Sequence, residues 1–392
     1  MPERHSNSGT ILLFAPTDVG GIAEHLVRQV GELQKAGVSC TVLTTRNFLE
    51  GRPVPFAPRQ VLFGAKARGG NRYWRAARNA ACLILNQWIL ALYVIRLRPS
   101  IVFYESYSEY YSPLWIWPHW FLARVCGFLY GNNLHDPVRH FQLGPRWWHR
   151  LSVWLAWRPF RFVLVHQEVP AAANLPSGVR AHVVPVGIYE MPPSTADLAE
   201  TRQRLGARDG QFLVLSFGFL RDDKNVDLFI EAMPDYPQVA LAIVGRSQTS
   251  AMKPIEFYQD LAKKVGVADR VTFRTEFIAD DQVAALFEAS EAILLVYDKT
   301  FVSQSGVLNI AAALKRPVLA SGGPGPMQDA VVEYSLGEFV APDSLGELKT
   351  GIRNLLSGDA ASRARWDDYA RFASWATNVR PLVELAREQG RS

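Results

Sequence analysis

The sequence predicts an α/β protein made of two Rossmann-like, doubly wound parallel sheets that face a cleft. Short apolar runs alternate with amphipathic stretches of about 10–15 residues through both halves of the chain, which is typical of parallel strands joined by helices. The chain is 392 residues long, and this length suits two domains of ~150–200 residues better than one. Turns rich in glycine or serine directly follow several apolar runs, as they do where parallel sheets bind ligands.

The first half opens with a strand, a glycine loop and a helix. Residues 10–16 form the strand, Gly20 and Gly21 lie in the loop, and residues 39–45 form the next strand after a stop at Gly37. This unit is a parallel crossover. The helix has one apolar face, formed by Ile22, Leu26, Val30 and Leu33. Further strands are predicted at 100–106, 128–133 and 162–167.

The second half repeats the alternation of strands and helices. Prolines and a glycine within residues 183–194 indicate a linker between the halves. Because ligands bind at the carboxyl ends of strands in such sheets, we expect the active site there, in a cleft between two domains. The predicted strands of this half cover residues 211–217, 238–245, 270–274, 292–297 and 317–321.

Cysteine usage indicates a reducing compartment. Cys40, Cys82 and Cys126 are odd in number, far apart and in apolar surroundings, so neither a disulfide framework nor a metal site is expected. The polar first ten residues do not resemble a signal peptide. The apolar run 80–95 has about 16 residues, short of the ~20 that a membrane span requires, so we interpret it as a buried or interfacial helix. These features predict a cytoplasmic protein.

Positive charge and tryptophan are concentrated in the first half. Residues 1–190 contain 20 Lys and Arg against 10 Asp and Glu, whereas the remainder contains 22 against 27. Such a surface suits docking on an anionic membrane, although a packed helical layer with a solvated basic surface explains the same pattern. No nucleic-acid recognition motif is present, so nucleic acid is not an expected partner. The residues of this surface are Trp74, Trp88, Trp115, Trp117, Trp120, Trp147, Trp148, Arg72, Arg75, Arg78, Arg146 and Arg150.

Two strand-to-helix turns in the second half predict anion sites. Arg221 and Lys224 lie in the first turn, and Ser303, Ser305 and Gly306 lie in the second. Backbone N–H groups at a helix start, with a cation nearby, bind phosphate. Two such turns therefore predict a diphosphate held between them. Alternatively, Arg221 pairs with a neighbouring aspartate and the serines act as ordinary helix N-caps.

Four segments of the chain resemble the GT-B glycosyltransferases, most closely those of family 4, which use nucleotide-sugar donors. They read FGFLRDDKNVD, IVGR, SQSGVLNIAAALKRPVLAS and VVPVGIYE. The resemblance covers nearly the whole chain and implies an acceptor-binding domain at 1–186, a nucleotide-sugar-binding domain at 187–372 and a helix at 373–392 that crosses back onto the first domain. It also implies a donor-binding set: Gly20, Gly21, Arg221, Lys224, Gly245, Glu276, Phe277, Ile278, Ser303, Gln304, Ser305, Gly306 and Val307.

The same resemblance implies catalytic residues in the first half. The family commonly places a histidine after a strand of the first domain, facing the transferred sugar, and His135 stands at that position. Asp136 would act as the base of an inverting reaction, and Asp18 flanks the glycine loop where it could face the cleft. Alternatively, residues 135–137 form a simple turn that Pro137 fixes.

Three positions depart from the family pattern. Many members carry two glutamates around the serine loop, one for the sugar and one for the ribose. Ile310 stands near the second of these positions, and Ser303 or Gln304 near the first. Phe219 replaces an arginine that often follows the glycine of the first turn. These departures leave open the donor sugar and the choice between a retaining and an inverting reaction.

The predicted function is transfer of a sugar from a UDP- or GDP-linked donor to a glycan or a polyprenyl-diphosphate-linked acceptor in cell-surface or exopolysaccharide biosynthesis. No metal and no cofactor is expected, because cations and a helix start supply the positive charge. The expected location is the cytoplasm, peripheral on the inner face of the plasma membrane. Two alternatives stay open: a nucleotide-sugar epimerase or hydrolase on the same fold, and a degenerate, non-catalytic subunit.

Overall fold

The computed structural model forms two compact units: Met1–Pro185 with Trp375–Ser392 (unit 1), and Val186–Ser374 (unit 2). Sequence features predict this division after Val186 and after Phe372. The described residues are 9–18, 20–64, 71–106, 108–135, 142, 144–169, 175–189, 191, 194–247, 252–275, 278 and 280–390.

Unit 1 contains a seven-stranded parallel sheet with helices on both faces. In the strand order β3-β2-β1-β4-β5-β6-β7, the direction of chain progression reverses between β1 and β4. Such a reversal opens a crevice at the carboxyl ends of the two strands. The strands are β1 (Thr10–Ala15), β2 (Ser39–Thr45), β3 (Arg59–Leu62), β4 (Ile101–Tyr104), β5 (Leu129–Leu134), β6 (Phe160–Val165) and β7 (Arg180–Val183).

Helix α1 (Gly21–Lys35) packs on one face of this sheet. The last helix of the chain, Trp375–Gln389, packs beside it and contributes Val379, Leu382 and Ala386 to the same core. Three helices cover the opposite face of the sheet, and their apolar side chains form a second core with the strands. These are α2 (Arg72–Leu97), α3 (Ser112–Arg124) and α4 (Arg146–Ala156).

Polar side chains tie the last helix to unit 1. Gln29 donates from Nε2 to Oδ1 of Asn378 at 3.0 Å, and Asn378 donates from Nδ2 to the carbonyl oxygen of Pro185 at 2.9 Å. Both side chains are fully buried, where an unpaired amide is costly, so the paired arrangement fixes the register of this helix on α1.

Helix α2 is longer than the apolar run suggested. It spans 26 residues, and the segment Tyr73–Leu97 is long and apolar enough, by length and composition, to cross a membrane. The helix is therefore about ten residues longer than the 16-residue apolar run, since residues on both sides of the run extend it. Leu90, Ala91 and Val94 nevertheless pack in the sheet core, so this helix forms a layer of the folded unit.

Most of the predicted surface tryptophans are exposed; Trp115 is buried and Trp148 is half-buried. Trp115 of α3 is 1% exposed and packs against α2 and α4. Its indole Nε1 donates to the carbonyl oxygen of Tyr110, so its polar group is paired inside the unit. Its assignment to the surface was wrong. Trp154, which was not predicted, is 56% exposed. The side chains of Trp74, Trp88, Trp117, Trp120 and Trp147 are exposed as well.

Unit 2 contains a six-stranded parallel sheet in the order β10-β9-β8-β11-β12-β13, with apolar clusters on both faces. The chain progression reverses between β8 and β11. The strands are β8 (Phe212–Phe217), β9 (Val239–Val244), β10 (Val271–Arg274), β11 (Ala292–Val296), β12 (Val318–Ser321) and β13 (Gly337–Val340). The helices are α5 (Leu198–Arg204), α6 (Val226–Ala232), α7 (Ile255–Lys264), α8 (Asp280–Glu288), α9 (Gly306–Ala313), α10 (Pro326–Glu333), α11 (Leu345–Leu356), α12 (Asp359–Arg363) and α13 (Trp366–Phe372); Trp375–Gln389 is α14. Two parallel sheets with interleaved helices confirm the predicted α/β class.

Candidate functional site

Lys224 lies at the carboxyl edge of the unit 2 sheet, where β8 and β11 part. It is 9% exposed, and its Nζ donates to the carbonyl oxygen of Phe217 at 3.1 Å. Burial and, to a lesser extent, the charge of Arg221 lower the pKa of its ammonium to about 8, although Asp223 partly opposes the shift. A desolvated ammonium of this kind is stabilised by an arriving anion, as a donor diphosphate would provide.

Arg221 lies next to Lys224 and is engaged. Its Nη2 is 2.8 Å from Oδ2 of Asp223, so the alternative of an ion pair with a neighbouring aspartate is observed. Its guanidinium carbon lies 5.8 Å from the ring centroids of both Tyr297 and Phe301. These two rings are stacked with centroids 3.9 Å apart, so the arginine is held beside a rigid aromatic pair.

Tyr297 connects the two predicted anion turns within unit 2. Its ring centroid lies 5.9 Å from Nζ of Lys224, and its hydroxyl lies 3.4 Å from Oγ of Ser305. Burial raises the pKa of the Tyr297 hydroxyl, which keeps this group protonated. The lysine turn and the serine loop therefore meet around one buried phenol.

The serine loop leads into α9 at Gly306. Ser305 occupies the N-cap position, yet its side chain makes no capping hydrogen bond within the described structure and is buried toward Tyr297. The N-cap alternative is thus not realised by a side chain. Ser303 is exposed, and a Cβ built on Gly306 meets no atom of the described chain within 4 Å. The first turn of α9 consequently presents free space and main-chain N–H groups to a ligand.

Several other predicted donor residues are engaged inside unit 2. Oε1 of Gln304 accepts from the main-chain N of Val186 at 3.1 Å, which ties the loop to the start of the unit. Val307, Ile278 and Ile310 pack against the apolar core. Ile310 therefore fills the position of the family's second glutamate with a core side chain. Glu276 and Phe277 lie outside the described residues.

Gly245 directly follows β9 and lies close to the lysine turn. Its N–H donates to the carbonyl oxygen of Arg274 at 2.8 Å. A Cβ at this position would lie 1.9 Å from the carbonyl oxygen of Gly218, which directly follows β8. The glycine is needed so that the ends of two neighbouring strands can approach each other beside Lys224.

Unit 1 holds a buried cluster centred on Glu105, which sequence reasoning missed. Glu105 follows β4 and is 1% exposed. Nδ1 of His25 lies 3.0 Å from its Oε1, and Nδ2 of Asn133 donates to its Oε2 at 3.1 Å. His135, which follows β5, places Nε2 3.1 Å from the carbonyl oxygen of Glu105 and 3.6 Å from its Oε1. The available signal was a carboxylate near the carboxyl end of a predicted strand, at the edge where ligands bind.

The cluster keeps Glu105 ionised although it is buried. Burial raises the pKa of this carboxyl, but the attraction of His25 and hydrogen bonds from His135 and His25 outweigh that effect and leave the pKa below its usual value. His166 packs against both histidines, and burial together with these neighbours lowers its pKa to about 3. The imidazole of His166 is therefore neutral, and the carboxylate of Glu105 carries a negative charge.

The side chain of His135 is 20% exposed, whereas those of His25 and Glu105 are 4% and 1% exposed. Its Nε2–H points at Glu105, so a neutral ring carries its lone pair on Nδ1. That nitrogen is available to a substrate hydroxyl.

His25, Glu105 and His135 also place ligand atoms within 4.8 Å of one another, close enough to hold a metal ion. Ligating histidines normally donate their second N–H to a carboxylate or carbonyl. Nε2 of His25 is buried without a partner among the described residues, so ligation through Nδ1 would leave a buried N–H unpaired. The donor set fits a hydrogen-bonded cluster better than a metal site.

The remaining predicted residues of unit 1 lie around the glycine loop. Asp18 accepts a hydrogen bond from Oγ1 of Thr45, and its carbonyl oxygen accepts from the N–H of Leu49 at 2.6 Å. It therefore joins the ends of β1 and β2. Gly20 has a φ of +95°, a conformation that favours glycine, and Gly21 begins α1. Asp136 lies outside the described residues.

Residues 197–372 match the family described as "Glycosyl transferases group 1". A D-inositol 3-phosphate glycosyltransferase of Mycobacteroides abscessus is 28% identical over 227 residues, which are 57% of this chain and 48% of that protein. The lipopolysaccharide glucosyltransferase WaaG of Escherichia coli K12 is 27% identical over 222 residues, or 53% and 55% of the two chains. The chain thus spans about half the length of the curated relatives it matches.

Among solved structures, Anabaena Alr3699/HepE in complex with UDP and glucose superposes with a TM-score of 0.67 at 18% identity, covering 96% of this chain and 98% of that one. This likeness shows the fold. The chain therefore has the fold of GT-B glycosyltransferases. Residues 197–372 are similar to the group 1 glycosyl transferases.

Proposed function

We propose that this protein transfers a sugar from a UDP- or GDP-linked donor to a glycan or polyprenyl-diphosphate-linked acceptor, as a family-4 enzyme of cell-surface or exopolysaccharide biosynthesis. The observation that carries the proposal is the meeting of Lys224, Tyr297 and the start of α9 in unit 2. An ammonium and main-chain N–H groups are the donors that stabilise a departing diphosphate. These groups do so without a metal ion.

The Glu105 cluster supplies the second part of the proposal. His135 would contact the transferred sugar or the acceptor hydroxyl through Nδ1, while Glu105 holds its ring through Nε2. Glu105 is a positioning residue in this scheme, because it is buried away from solvent. Asp18, whose Oδ1 already accepts from Thr45, is a weaker candidate for the base than His135.

A peripheral location on the inner face of the plasma membrane is part of the proposal. It is supported by exposed aromatic side chains on α2, α3 and α4 and by the excess of arginine in the same half of the chain. Tryptophan partitions to membrane interfaces, and arginine is attracted by anionic headgroups. The relatives include a lipopolysaccharide glucosyltransferase, whose acceptor is a lipid-linked glycan by name.

Thermal-shift measurements with UDP, GDP, ADP, CMP and their sugar conjugates test the donor class. A ligand that binds only the native state raises its melting temperature, by an amount that grows with concentration over Kd. We expect a shift with UDP or GDP that is lost in Lys224→Ala. Absence of a shift with every nucleotide would argue for the degenerate subunit.

Product analysis separates transfer from the other alternative. Incubation of the matching nucleotide-sugar with and without lipid-linked acceptor should release nucleoside diphosphate at a high rate only when acceptor is present. Free sugar or an epimerised donor formed at the same rate without acceptor would instead indicate a hydrolase or an epimerase.

A further inference from the structure

A cavity of about 600 Å³ in unit 1 lies apart from the candidate site. Four arginines line it: Arg124 at the end of α3, Arg150 in α4, Arg158 after α4 and Arg161 in β6. We propose that this pocket binds the phosphate of an anionic lipid headgroup. This inference rests on the membrane location proposed above. It names the pocket through which the protein would bind the membrane.

The charge in the pocket is uncompensated. None of its lining residues is an Asp or Glu, and within the described part of the chain none of the four guanidinium groups makes an ion pair or a hydrogen bond. Arginines of unit 2 behave differently; Arg202 and Arg208, for example, pair with Glu291 and Asp269. Four unpaired guanidinium groups around one concave space repel each other, and an anion removes that cost.

The walls of the pocket are aromatic. Trp157 and Phe160 are buried beneath it, and the exposed Trp154 lines its side. The guanidinium carbon of Arg158 lies 3.7 Å from the ring centroid of Trp154. This contact shields one face of the guanidinium from water and directs its N–H groups sideways. A site with arginine donors and apolar walls suits a phosphodiester that carries an apolar tail.

The pocket lies at the opposite edge of the sheet from Glu105. Phe160 and Arg161 begin β6, and residues 176–179 precede β7, so the pocket is at the amino ends of the strands. Glu105 and His135 follow the carboxyl ends of β4 and β5. A six-residue strand spans about 17 Å between these edges. The pocket is therefore an anchoring site and does not hold the reacting group.

The neighbouring surface argues for a lipid over free phosphate. Trp147 and Leu151 of α4, like Trp154, are exposed, and Trp117 and Trp120 are exposed on the adjoining α3. Exposed apolar side chains beside a cationic pocket match a molecule with a phosphate next to acyl chains. An inorganic anion would use the arginines and leave the aromatic side chains without a role.

The test compares two double variants of the full chain on sedimented vesicles. One vesicle contains phosphatidylcholine with 30% phosphatidylglycerol (a composition of about one anionic lipid in three), and the other is pure phosphatidylcholine. Arg158→Gln with Arg161→Gln removes pocket charge. Arg96→Gln with Arg98→Gln is the matched control, since these exposed arginines precede β4 at the same edge of the sheet but do not line the pocket.

We expect the pocket variant to lose about tenfold in binding to the anionic vesicle and the control less than about threefold. Equal losses of vesicle binding in the two variants would indicate only diffuse electrostatic attraction. That result would overturn the pocket assignment, whereas docking on the membrane would stand. No vesicle binding by the wild type would overturn both. UDP-induced thermal shifts in every variant report the donor site separately, so failure of the pocket is distinguishable from failure of the transferase proposal.

Soluble dihexanoyl phosphatidylglycerol and inorganic phosphate distinguish the two sources of the anion. In calorimetry the short-chain lipid should bind the wild type and not the pocket variant, and Trp154→Ala should weaken it. Equal affinity for inorganic phosphate, unaffected by Trp154→Ala, would assign the pocket to a free anion. Tighter binding of a single-stranded oligonucleotide than of lipid would likewise refute the proposal.

Discussion

His135 and Glu105 are joined at the carboxyl edge of the unit 1 sheet. Nε2 of His135 lies 3.1 Å from the carbonyl oxygen of Glu105 and 3.6 Å from its Oε1. The same carboxylate contacts Nδ1 of His25 and Nδ2 of Asn133. The main-chain carbonyl of Glu105 therefore sets the tautomer of His135, and its buried carboxylate lies close enough to hold the ring in place.

Replacement of Glu105 by Gln should lower kcat by about 10²-fold, the lower range for a misplaced acid–base group, with little change in the donor KM. An amide has one acceptor oxygen and cannot satisfy both His25 and Asn133, so the ring of His135 loses its fixed surroundings. Steady-state kinetics with varied donor measure both constants. A rise in KM at constant kcat would contradict a positioning role.

A double-mutant cycle separates this role from general loss of structure. If Glu105 acts through His135, Glu105→Gln should have almost no effect in a His135→Ala background. Additive losses would mean that the two side chains act independently. Recovery of kcat in Glu105→Asp would support the carboxylate, and thermal melts show which variants are folded.

Chelation should leave the enzyme active. The buried Nε2 of His25 has no partner in the described structure, which disfavours ligation of a metal by this cluster. We expect turnover within about twofold of the untreated enzyme after EDTA and dialysis, a change too small for loss of a catalytic ion. Elemental analysis that finds one metal per chain, lost in His25→Ala together with activity, would refute the hydrogen-bonded assignment.

The affinity for nucleoside diphosphate should fall as pH rises through about 8. Burial lowers the pKa of Lys224 from its ordinary value of 10.5 to about 8, so the free protein carries the ammonium below this pH and loses it above. The diphosphate is fully ionised in this range. Calorimetry should give a Kd about tenfold weaker at pH 9 than at pH 7. Lys224→Arg should abolish this dependence of affinity on pH, because the guanidinium group stays charged.

Turnover provides a second readout for Lys224. Lys224→Ala should reduce kcat by about 10²–10³-fold, as expected for loss of one charged donor to a leaving group. Circular dichroism should show an intact fold, since the truncation removes a single hydrogen bond, the one from Nζ to the carbonyl oxygen of Phe217. Turnover close to that of the wild type would contradict the assignment of the lysine turn.

Sequence patterns predicted the strands of the core well and the short edge strands poorly. β1, β8 and β9 are continuous apolar runs between turns, so their period and length identify them. β3 and β7 are four-residue edge strands that begin with Arg59 and Arg180, and pairing with a neighbouring strand forms them. Such tertiary pairing leaves no local pattern to find.

The candidate site was predictable where its residues follow a predicted strand or begin a helix, as at His135, Lys224 and Ser305. Lys224 and Ser305 follow strands whose ends must be adjacent in a parallel sheet. Glu105, His25 and Asn133 come from β4, α1 and β5, and their meeting depends on strand order and side-chain packing. Burial of Trp115 depends in the same way on how α2, α3 and α4 pack.

Ser303 and Ser305 should respond differently to removal of the hydroxyl. Ser305 is buried against Tyr297, so Ser305→Ala should lower stability by about 1 kcal/mol through a lost hydrogen bond. Ser303 is exposed at the loop, so Ser303→Ala should keep stability and weaken donor binding by about 3–10-fold. Urea unfolding and calorimetry on both variants test the pair. If Ser305→Ala instead weakened donor binding and Ser303→Ala lowered stability, the assignment would be contradicted, because the donor would have to displace Tyr297 to reach Ser305.

Gly245→Ala should destabilise the protein by about 1–3 kcal/mol. Its Cβ would lie 1.9 Å from the carbonyl oxygen of Gly218, so the ends of β8 and β9 must separate beside Lys224. Gly31→Ala is the matched control, because Gly31 lies inside α1 and a Cβ there meets no described atom within 4 Å. Alanine in that helix should stabilise by about 0.5–1 kcal/mol. Urea unfolding measures both changes, and equal midpoints for the two variants would show that the strand ends do not require glycine.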